Sequence, residues 1–382
     1  MSTANLKHLF VPGDGNVPPY LAGRKKEQEY FRDCVDILKN RKPAHQNLIL
    51  YGPRGNGKTA LLRHLEAKTR QKEASKLDIL RVTPDELRTL DALSGRLTED
   101  HQTVRKRFKS VEVSGGVGGL FQAKTEVDLS LASVTIRKLL QERSGNKPFI
   151  LIIDEAHRLM PAIAESLLNA SQTVRLEGCP FLLVLAGTPN LEAALGKANA
   201  SFWDRSEILP LGRLSPKEAA EALTVPLQKA GIAFAPGAIE HIVEQTHCYP
   251  FFTQVWGSCI AQQLQQTGER IISMETVKAA EKEVIRKRNA MYRVRFNELD
   301  GMKLLSVSKS IADTFSQSGS PVVHRDALKK AIEKGLADDE PITHERVMEK
   351  IEQLAQLGYV WPVGAYDYEP GIPSLMAFVQ GA

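Results

Sequence analysis

The chain has 382 residues, more than one hydrophobic core usually supports, so we expect two or three domains. Charged residues make up 25% and hydrophobic residues 42%, a globular composition that excludes an intrinsically disordered chain. The net charge of +5 is mild and neither requires nor excludes a polyanionic partner. The longest apolar runs are too short to span a bilayer, so we expect no membrane partner.

Four cysteines are scattered along the chain without a C-x-x-C pair. This spacing predicts free thiols rather than disulfides or a metal site, which suits a cytoplasmic location. The N-terminus lacks the apolar stretch of a secretory signal. Residues 1–20 contain many glycines and prolines and are predicted to form an arm.

The most informative stretch runs from Asn47 to Thr59. Its apolar half, 48–51, is typical of a short buried strand, and a G-x-x-x-x-G-K-[ST] motif follows directly. This spacing predicts a phosphate-binding loop whose glycines adopt positive φ and whose N–H groups point toward an anion. Helix formers continue after the motif, so its expected strand, loop and helix are all present. The predicted nucleotide-binding residues are Gly52, Pro53, Arg54, Gly55, Asn56, Gly57, Lys58, Thr59 and Ala60.

The chemistry of this loop predicts ATP and Mg²⁺ as ligands. Lys58 supplies a point charge for the β- and γ-phosphates, and the Thr59 hydroxyl is a ligand for Mg²⁺.

A second apolar run, Phe149–Ile153, ends in two carboxylates. Five consecutive apolar residues predict a strand covered on both faces, and α/β sheets bind ligands at the carboxyl ends of such strands. We therefore expect Asp154 to hold Mg²⁺ and Glu155 to act as the catalytic base that orients or deprotonates the attacking water.

Further strands are predicted over 78–82, 181–187 and 206–211, alternating with helices. This order predicts an α/β fold, a three-layer sandwich with a parallel five-stranded sheet, over residues 21–213. Between the second and third strands we predict a helix over 84–108 and a hairpin with a glycine-rich tip at about 109–131. The hairpin is either a flexible surface loop or an arm that contacts nucleic acid or a protein partner.

The strand pattern stops near Ser215, where Ser215, Pro216 and Glu218 predict the capped start of a helix. Residues 214–290 are predicted to be an all-helical lid. Three amphipathic helices and a short hairpin then predict a winged-helix domain over 291–382.

Taken together, these motifs resemble the AAA+ superfamily of P-loop ATPases, in the branch of replication-initiator-like and STAND-type ATPases. The resemblance implies that the segment from Leu21 to Glu27 backs the adenine. It implies a γ-phosphate sensor after the fourth strand, for which Thr188 and Asn190 are candidates and Thr188 is preferred. It also implies a catalytic arginine finger at Arg205 that acts on a neighbouring subunit; the alternative is a surface ion pair with Asp204 or Glu207.

One segment departs from the family pattern. Residues 248–254, at the start of a lid helix, contain no arginine where many relatives carry a second sensor. The departure implies slow hydrolysis.

The charge distribution argues against DNA binding by the predicted winged helix. From Ser320 to Ala382 there are six Lys and Arg against ten Asp and Glu, a net charge of −4. The candidate DNA contacts lie elsewhere, in two basic clusters that are alternatively solvated helix faces: Arg105, Lys106, Arg107 and Lys109, and Arg286, Lys287 and Arg288.

Three hypotheses follow. The first is an ATPase that drives a conformational or assembly switch, with an ATP-dependent homo-oligomer and a protein client as partners. The second is a DNA-associated ATPase of the replication-initiation or transposition type. The third is a nucleotide-binding interaction module without significant turnover.

Overall fold

The computed structural model describes residues 6–13, 15–98, 126–199, 201–336, 342–364 and 366–381. The predicted basic cluster at 105–109 lies outside this range. The chain divides into two compact units. We call Arg24–Tyr51 with Leu61–Pro210 the sheet unit, and Met1–Gly23, Gly52–Ala60 and Leu211–Ala382 the helical unit. The predicted domain boundaries stay predictions.

The sheet unit contains five parallel strands in the order β2-β3-β4-β1-β5, which confirms the predicted α/β fold. Every residue of β3 and β4 is buried, as expected for strands covered on both faces. The strands are β1 (Asn47–Tyr51), β2 (Asp78–Val82), β3 (Phe149–Ile153), β4 (Phe181–Gly187) and β5 (Ser206–Pro210). The helices are α1 (Lys25–Lys39), α2 (Lys58–Glu73), α3 (Leu90–Thr98), α4 (Glu126–Asn146), α5 (Pro161–Leu176) and α6 (Leu191–Ala198), with short 3-10 helices at Pro84–Glu86 and Ala156–Arg158.

The hairpin predicted at about 109–131 is wrong in its second strand. The structure has helix from Glu126 onward, so residues 127–131 belong to α4; the rest of the predicted hairpin lies outside the described residues. Three alternating apolar residues are too short a pattern to distinguish a strand from a helix. Neither glycine nor proline interrupts the sequence from Glu126 to Ser144, so the helix that ends at Asn146 extends back through this segment.

The part of the helical unit that begins at Ser215 is mostly helical, as predicted. Ser215 caps its first helix in a capping box, accepting from the Glu218 N–H while the Glu218 carboxylate accepts from Ser215 N–H. Two paired strands of two residues were missed, because so short a strand carries no periodic signal. The elements are α7 (Pro216–Lys229), β6 (Ala233–Phe234), α8 (Ala238–Thr246), α9 (Pro250–Thr267), β7 (Ile271–Ile272) and α10 (Met274–Gly301).

The last part of the chain contains the three predicted helices and the predicted hairpin. The structure adds a short strand, which completes an antiparallel sheet of order β8-β10-β9, and a terminal helix. The elements are α11 (Leu305–Ser318), β8 (Val323–His324), α12 (Arg325–Gly335), α13 (His344–Gln356), β9 (Val360–Pro362), β10 (Asp367–Pro370) and α14 (Leu375–Gly381). Its identity as a winged helix stays a prediction.

Helix α10 contributes to two hydrophobic cores of the helical unit. Val277 and Val284 pack in the core formed with α7, α8 and α9, whereas Tyr292 and Leu299 pack in the core of the C-terminal elements. One continuous helix therefore crosses the boundary predicted at residue 290.

The N-terminal segment packs on α9. Leu6 and Phe10 are buried in the core formed with α7, α8 and α9. The Phe10 ring lies close to Gly257, and a Cβ on Gly257 would be 2.2 Å from Phe10 Cδ1. The N–H groups of Leu6 and Val11 donate to the side-chain oxygens of Gln265 and Gln254, respectively. The predicted arm is thus anchored from residue 6 to residue 11.

Candidate nucleotide site

The phosphate-binding motif forms a loop directly after β1 and before α2, as predicted. Gly55 and Gly57 have φ of 82° and 84°, the left-handed region that favours glycine. Gly52 does not adopt positive φ, so that expectation is wrong for it. It is required for another reason, because a Cβ on Gly52 would lie 2.4 Å from the backbone oxygen of Leu211.

Lys58 is buried within this loop. Its ammonium group donates to the carbonyl oxygens of Gly52 and Pro53 at 2.8 and 2.9 Å. Both acceptors are neutral, and a phosphate oxygen would be a stronger, charged acceptor for the same group. The loop therefore fits a phosphate ligand: it has a buried cation, two left-handed glycines and, at Gly57, open space within 4 Å of where a Cβ would lie.

Two contacts fix the loop to the rest of the helical unit. The Asn56 side-chain amide donates to Leu211 O at 2.9 Å, and the Tyr249 hydroxyl donates to Arg54 O. Burial is the largest cause that raises the pKa of Tyr249 far above its usual value, so this hydroxyl remains protonated and remains a donor. Sequence reasoning missed Tyr249, since nothing in the local pattern of residues 248–254 indicates a contact with a loop nearly two hundred residues earlier.

The two carboxylates predicted at the end of β3 have different environments. Asp154 is 3% exposed, and its Oδ1 accepts from the Glu155 N–H at 3.0 Å. The Glu155 side chain is 33% exposed, and its backbone is left-handed, with φ of 53° and ψ of 34°. A left-handed conformation costs roughly 1–2 kcal/mol at a residue with a Cβ, and such strain is concentrated at functional sites.

Polar groups follow β4 at the same edge of the sheet as these carboxylates. Thr188 is fully buried, and its hydroxyl donates to Asn190 Oδ1 at 2.6 Å, so the two sensor candidates contact each other. The Thr188 N–H donates to His157 Nδ1 at 3.3 Å. The His157 Nε2 in turn lies 3.5 Å from Glu155 Oε2. Sequence reasoning missed His157, although its position two residues after Glu155 could have indicated it.

Arg205 lies at the opposite edge of the sheet. Ser206 pairs with Asn47, the first residue of β1, whereas Asp154 follows the last residue of β3. Strands of this length separate the two edges by roughly 16 Å. Arg205 is exposed beside a cleft of about 560 Å³, and in the described part of the chain it makes no ion pair with Asp204 or Glu207.

The three consecutive residues of the predicted basic cluster on α10 point in different directions. Arg288 lies over the Tyr292 ring, 5.9 Å from its centroid, and Lys287 is only partly exposed. Arg286 is exposed and pairs with Glu283 at 2.6 Å. The predicted cluster of Arg286, Lys287 and Arg288 therefore does not form one surface.

Part of the chain is similar to a known protein family. Residues 41–195 match a family model described as an AAA domain. The matched region resembles an AAA domain and spans less than half of the chain. It contains the phosphate-binding loop, Asp154, Glu155 and Thr188.

Solved structures extend the likeness beyond residues 41–195. The ORC2 protein of Aeropyrum pernix, solved in ADPNP–ADP complexes, matches with a TM-score of 0.59 and 15% identity, covering 100% of this chain and 97% of that one. A Walker-type ATPase of Pyrococcus abyssi matches with a TM-score of 0.59 and 14% identity, covering 99% and 100%. This chain thus shares the fold of both solved proteins along nearly its whole length.

A search of curated proteins found no match. Among the described residues, no helix has both the length and the apolar character that crossing a membrane requires. The cytoplasmic location stays a prediction.

The loop contacts predict different costs for two glycine substitutions. Gly57→Ala introduces only an unfavourable φ, about 1–2 kcal/mol, because no atom lies within 4 Å of its Cβ position. Gly55→Ala introduces the same backbone strain and also places a Cβ 2.5 Å from the Tyr249 hydroxyl oxygen. The melting temperature of the Gly55→Ala protein should therefore be lower than that of the Gly57→Ala protein. Thermal unfolding without nucleotide measures both.

A double-mutant cycle tests whether the clash with Tyr249 destabilises the Gly55→Ala protein. If the clash is responsible, Tyr249→Phe combined with Gly55→Ala should cost less than the sum of the two single changes. Equal melting temperatures for Gly55→Ala and Gly57→Ala would contradict this account of the loop.

Proposed function

We propose that this protein hydrolyses Mg-ATP slowly and uses the cycle to drive a conformational or assembly switch. One observation carries the proposal: the phosphate-binding loop and the buried Asp154 follow β1 and β3, parallel strands that end at the same edge of the sheet with only β4 between them. In α/β sheets this edge is where ligands bind.

We assign a role in binding or hydrolysis to each residue. The N–H groups of the loop and the Lys58 ammonium bind the phosphates, and Thr59 and Asp154 hold Mg²⁺. Magnesium, when bound, neutralises phosphate charge. Glu155 accepts a proton from the attacking water while the oxygen of that water bonds to the γ-phosphorus. The bond between the γ-phosphorus and the oxygen that bridges it to the β-phosphorus breaks, which gives ADP and phosphate.

For the sensor, the hydrogen bond between Thr188 and Asn190 supports a shared role. The buried Thr188 hydroxyl orients the amide of Asn190, which is partly exposed and is the more accessible of the two. The preference for Thr188 as the phosphate contact stays a prediction. Slow turnover is supported by the segment that starts α9, which supplies the neutral Tyr249 rather than an arginine to the loop.

Substitution of Glu155 tests the proposed chemistry. Glu155→Gln should lower the rate of ATP hydrolysis by about 10²-fold or more and leave ATP binding intact, because the amide cannot accept the proton. Lys58→Ala should abolish ATP binding. Phosphate release and equilibrium binding of a fluorescent ATP analogue measure the two properties.

Glu165→Gln on the exposed face of α5 is the matched control and should change neither. A protein that binds ATP but shows no turnover sensitive to Glu155→Gln would instead be an interaction module without catalysis.

We further propose that Arg205 acts on the γ-phosphate of a neighbouring copy in an ATP-dependent homo-oligomer. Its support is the position of Arg205 at the edge opposite Asp154, which is too far for action within one chain, and its exposed side chain. A guanidinium at this position would stabilise charge that develops on the transferred phosphoryl group. The C-terminal elements, proposed to be a winged helix, would then contact a protein client.

Mixing two inactive variants tests action between subunits. Arg205→Ala and Glu155→Gln should each hydrolyse ATP slowly when alone. If the finger acts between subunits, a mixture recovers part of the activity, since one kind of interface combines an intact Arg205 with an intact Glu155. A mixture with no more activity than the separate variants, or a monomer with full activity, would contradict the proposal.

A second candidate function is an ATPase that binds DNA. Its support is a row of exposed basic residues on α10: Lys278, Lys282, Arg286 and Arg293. Their spacing confines them to an arc of about 80° on one face of the helix. A row of exposed positive charges can neutralise phosphates of a nucleic-acid backbone.

Charge reversal on α10 tests DNA binding. Lys282→Glu with Arg286→Glu should weaken binding to duplex DNA at least tenfold and reduce the slope of log K against log salt by about 2. Lys217→Glu with Lys229→Glu, a pair of exposed lysines on α7, is the charge-matched control. Binding that is absent in the wild-type protein, or that weakens equally in both double variants, would contradict this function.

A further inference from the structure

His157 lies between the proposed catalytic base and the proposed sensor. It follows β3 in the 3-10 helix Ala156–Arg158, and its side chain is only 2% exposed. The end of β4 approaches its ring closely, since a Cβ on Gly187 would lie 3.1 Å from Nδ1. The ring is therefore held between the ends of two neighbouring strands.

The hydrogen bond from Thr188 determines the tautomer of the neutral ring. Because Nδ1 accepts from the Thr188 N–H, the ring proton is carried by Nε2. That nitrogen lies 3.5 Å from Glu155 Oε2. The distance exceeds that of a good hydrogen bond, and catalytic hydrogen bonds often shorten only when the substrate is bound.

A histidine with only a structural role in the core would need partners for its ring nitrogens, but any buried polar groups would serve. Here the two ring nitrogens face two different functional segments: Nδ1 faces the backbone before the sensor side chains, and Nε2 faces the carboxylate. A shift of Thr188 would therefore displace the ring and, with it, the donor available to Glu155. The strained backbone of Glu155 places the base beside this donor.

We propose that His157 is a positioning residue that orients Glu155 through Nε2–H and makes this orientation depend on the position of Thr188. The inference rests on the proposed role of Glu155 as the base. It predicts that the ring affects the chemical step and not ATP binding, because the ring contacts Thr188 and Glu155, which follow β4 and β3 and are not part of the phosphate-binding loop.

Two amide substitutions separate the two nitrogens. His157→Gln places a side-chain N–H₂ near the position of Nε2 and retains a donor for Glu155. His157→Asn places an oxygen near the position of Nδ1, so it retains the acceptor for Thr188 but cannot reach Glu155. The two variants have similar polarity and provide matched controls for folding.

We expect His157→Asn to lower kcat about tenfold with KM for ATP and melting temperature little changed, a part of the 10²–10⁴-fold that a positioned base contributes. His157→Gln should retain kcat within about threefold. In the Glu155→Gln background, His157→Asn should have no further effect on turnover, because the group it positions is gone.

Equal kcat values for the Asn and Gln variants would overturn the positioning role, as would a loss confined to KM or to melting temperature. Failure of the proposed function is distinguishable, because then Glu155→Gln itself would leave wild-type turnover unchanged.

Discussion

Backbone hydrogen bonds hold β4 between β3 and β1, with all three strands parallel, and this pairing determines which side chains can meet. Leu185 of β4 is paired both with Ile153, the last residue of β3, and with Ile49 of β1. Parallel strands all end at the same edge, so Asp154, Thr188 and the start of the phosphate-binding loop follow strand ends that lie side by side. Shifting β4 by one residue would exchange its two faces and separate these groups.

The loop depends equally on contacts made far along the chain. Leu211 O accepts from Asn56 and leaves room only for a glycine at position 52, and the Tyr249 hydroxyl donates to Arg54 O. Tyr249 is also part of a run of aromatic rings that continues through Phe252 and Tyr292 to Phe378, with neighbouring centroids 5.0 to 6.0 Å apart. A residue that touches the loop is thus packed in the core of the C-terminal elements.

The segment after β3 combines a strained residue with a buried polar group. Glu155 has a left-handed backbone, which its β-branched neighbours in the strand could not easily adopt, and His157 is buried with hydrogen-bonding groups on both sides. Buried polar groups are stable only when they are paired. The contacts that satisfy His157 in the core therefore include the Glu155 carboxylate beside it.

The sequence by itself determined the elements with strong local signals. The phosphate-binding loop, the two carboxylates after β3, the five strands and the Ser215 capping box all depend on residues within about eight positions of one another. The short alternation of apolar and polar residues at 127–131 was not enough to predict a strand correctly. These residues belong to the helix Glu126–Asn146, which extends back through the segment.

Tertiary structure alone decided the rest. Four features depend on residues that are distant in sequence. Gly52 is required by the backbone oxygen of Leu211, and Tyr249 contacts the loop at Arg54. His157 accepts from Thr188, and Arg205 lies at the edge of the sheet opposite Asp154. Spacing along a chain carries information about neighbours on one strand or helix turn. Which strands pair, and which backbone oxygen faces a given side chain, is set by packing of the whole core, and no local pattern encodes it.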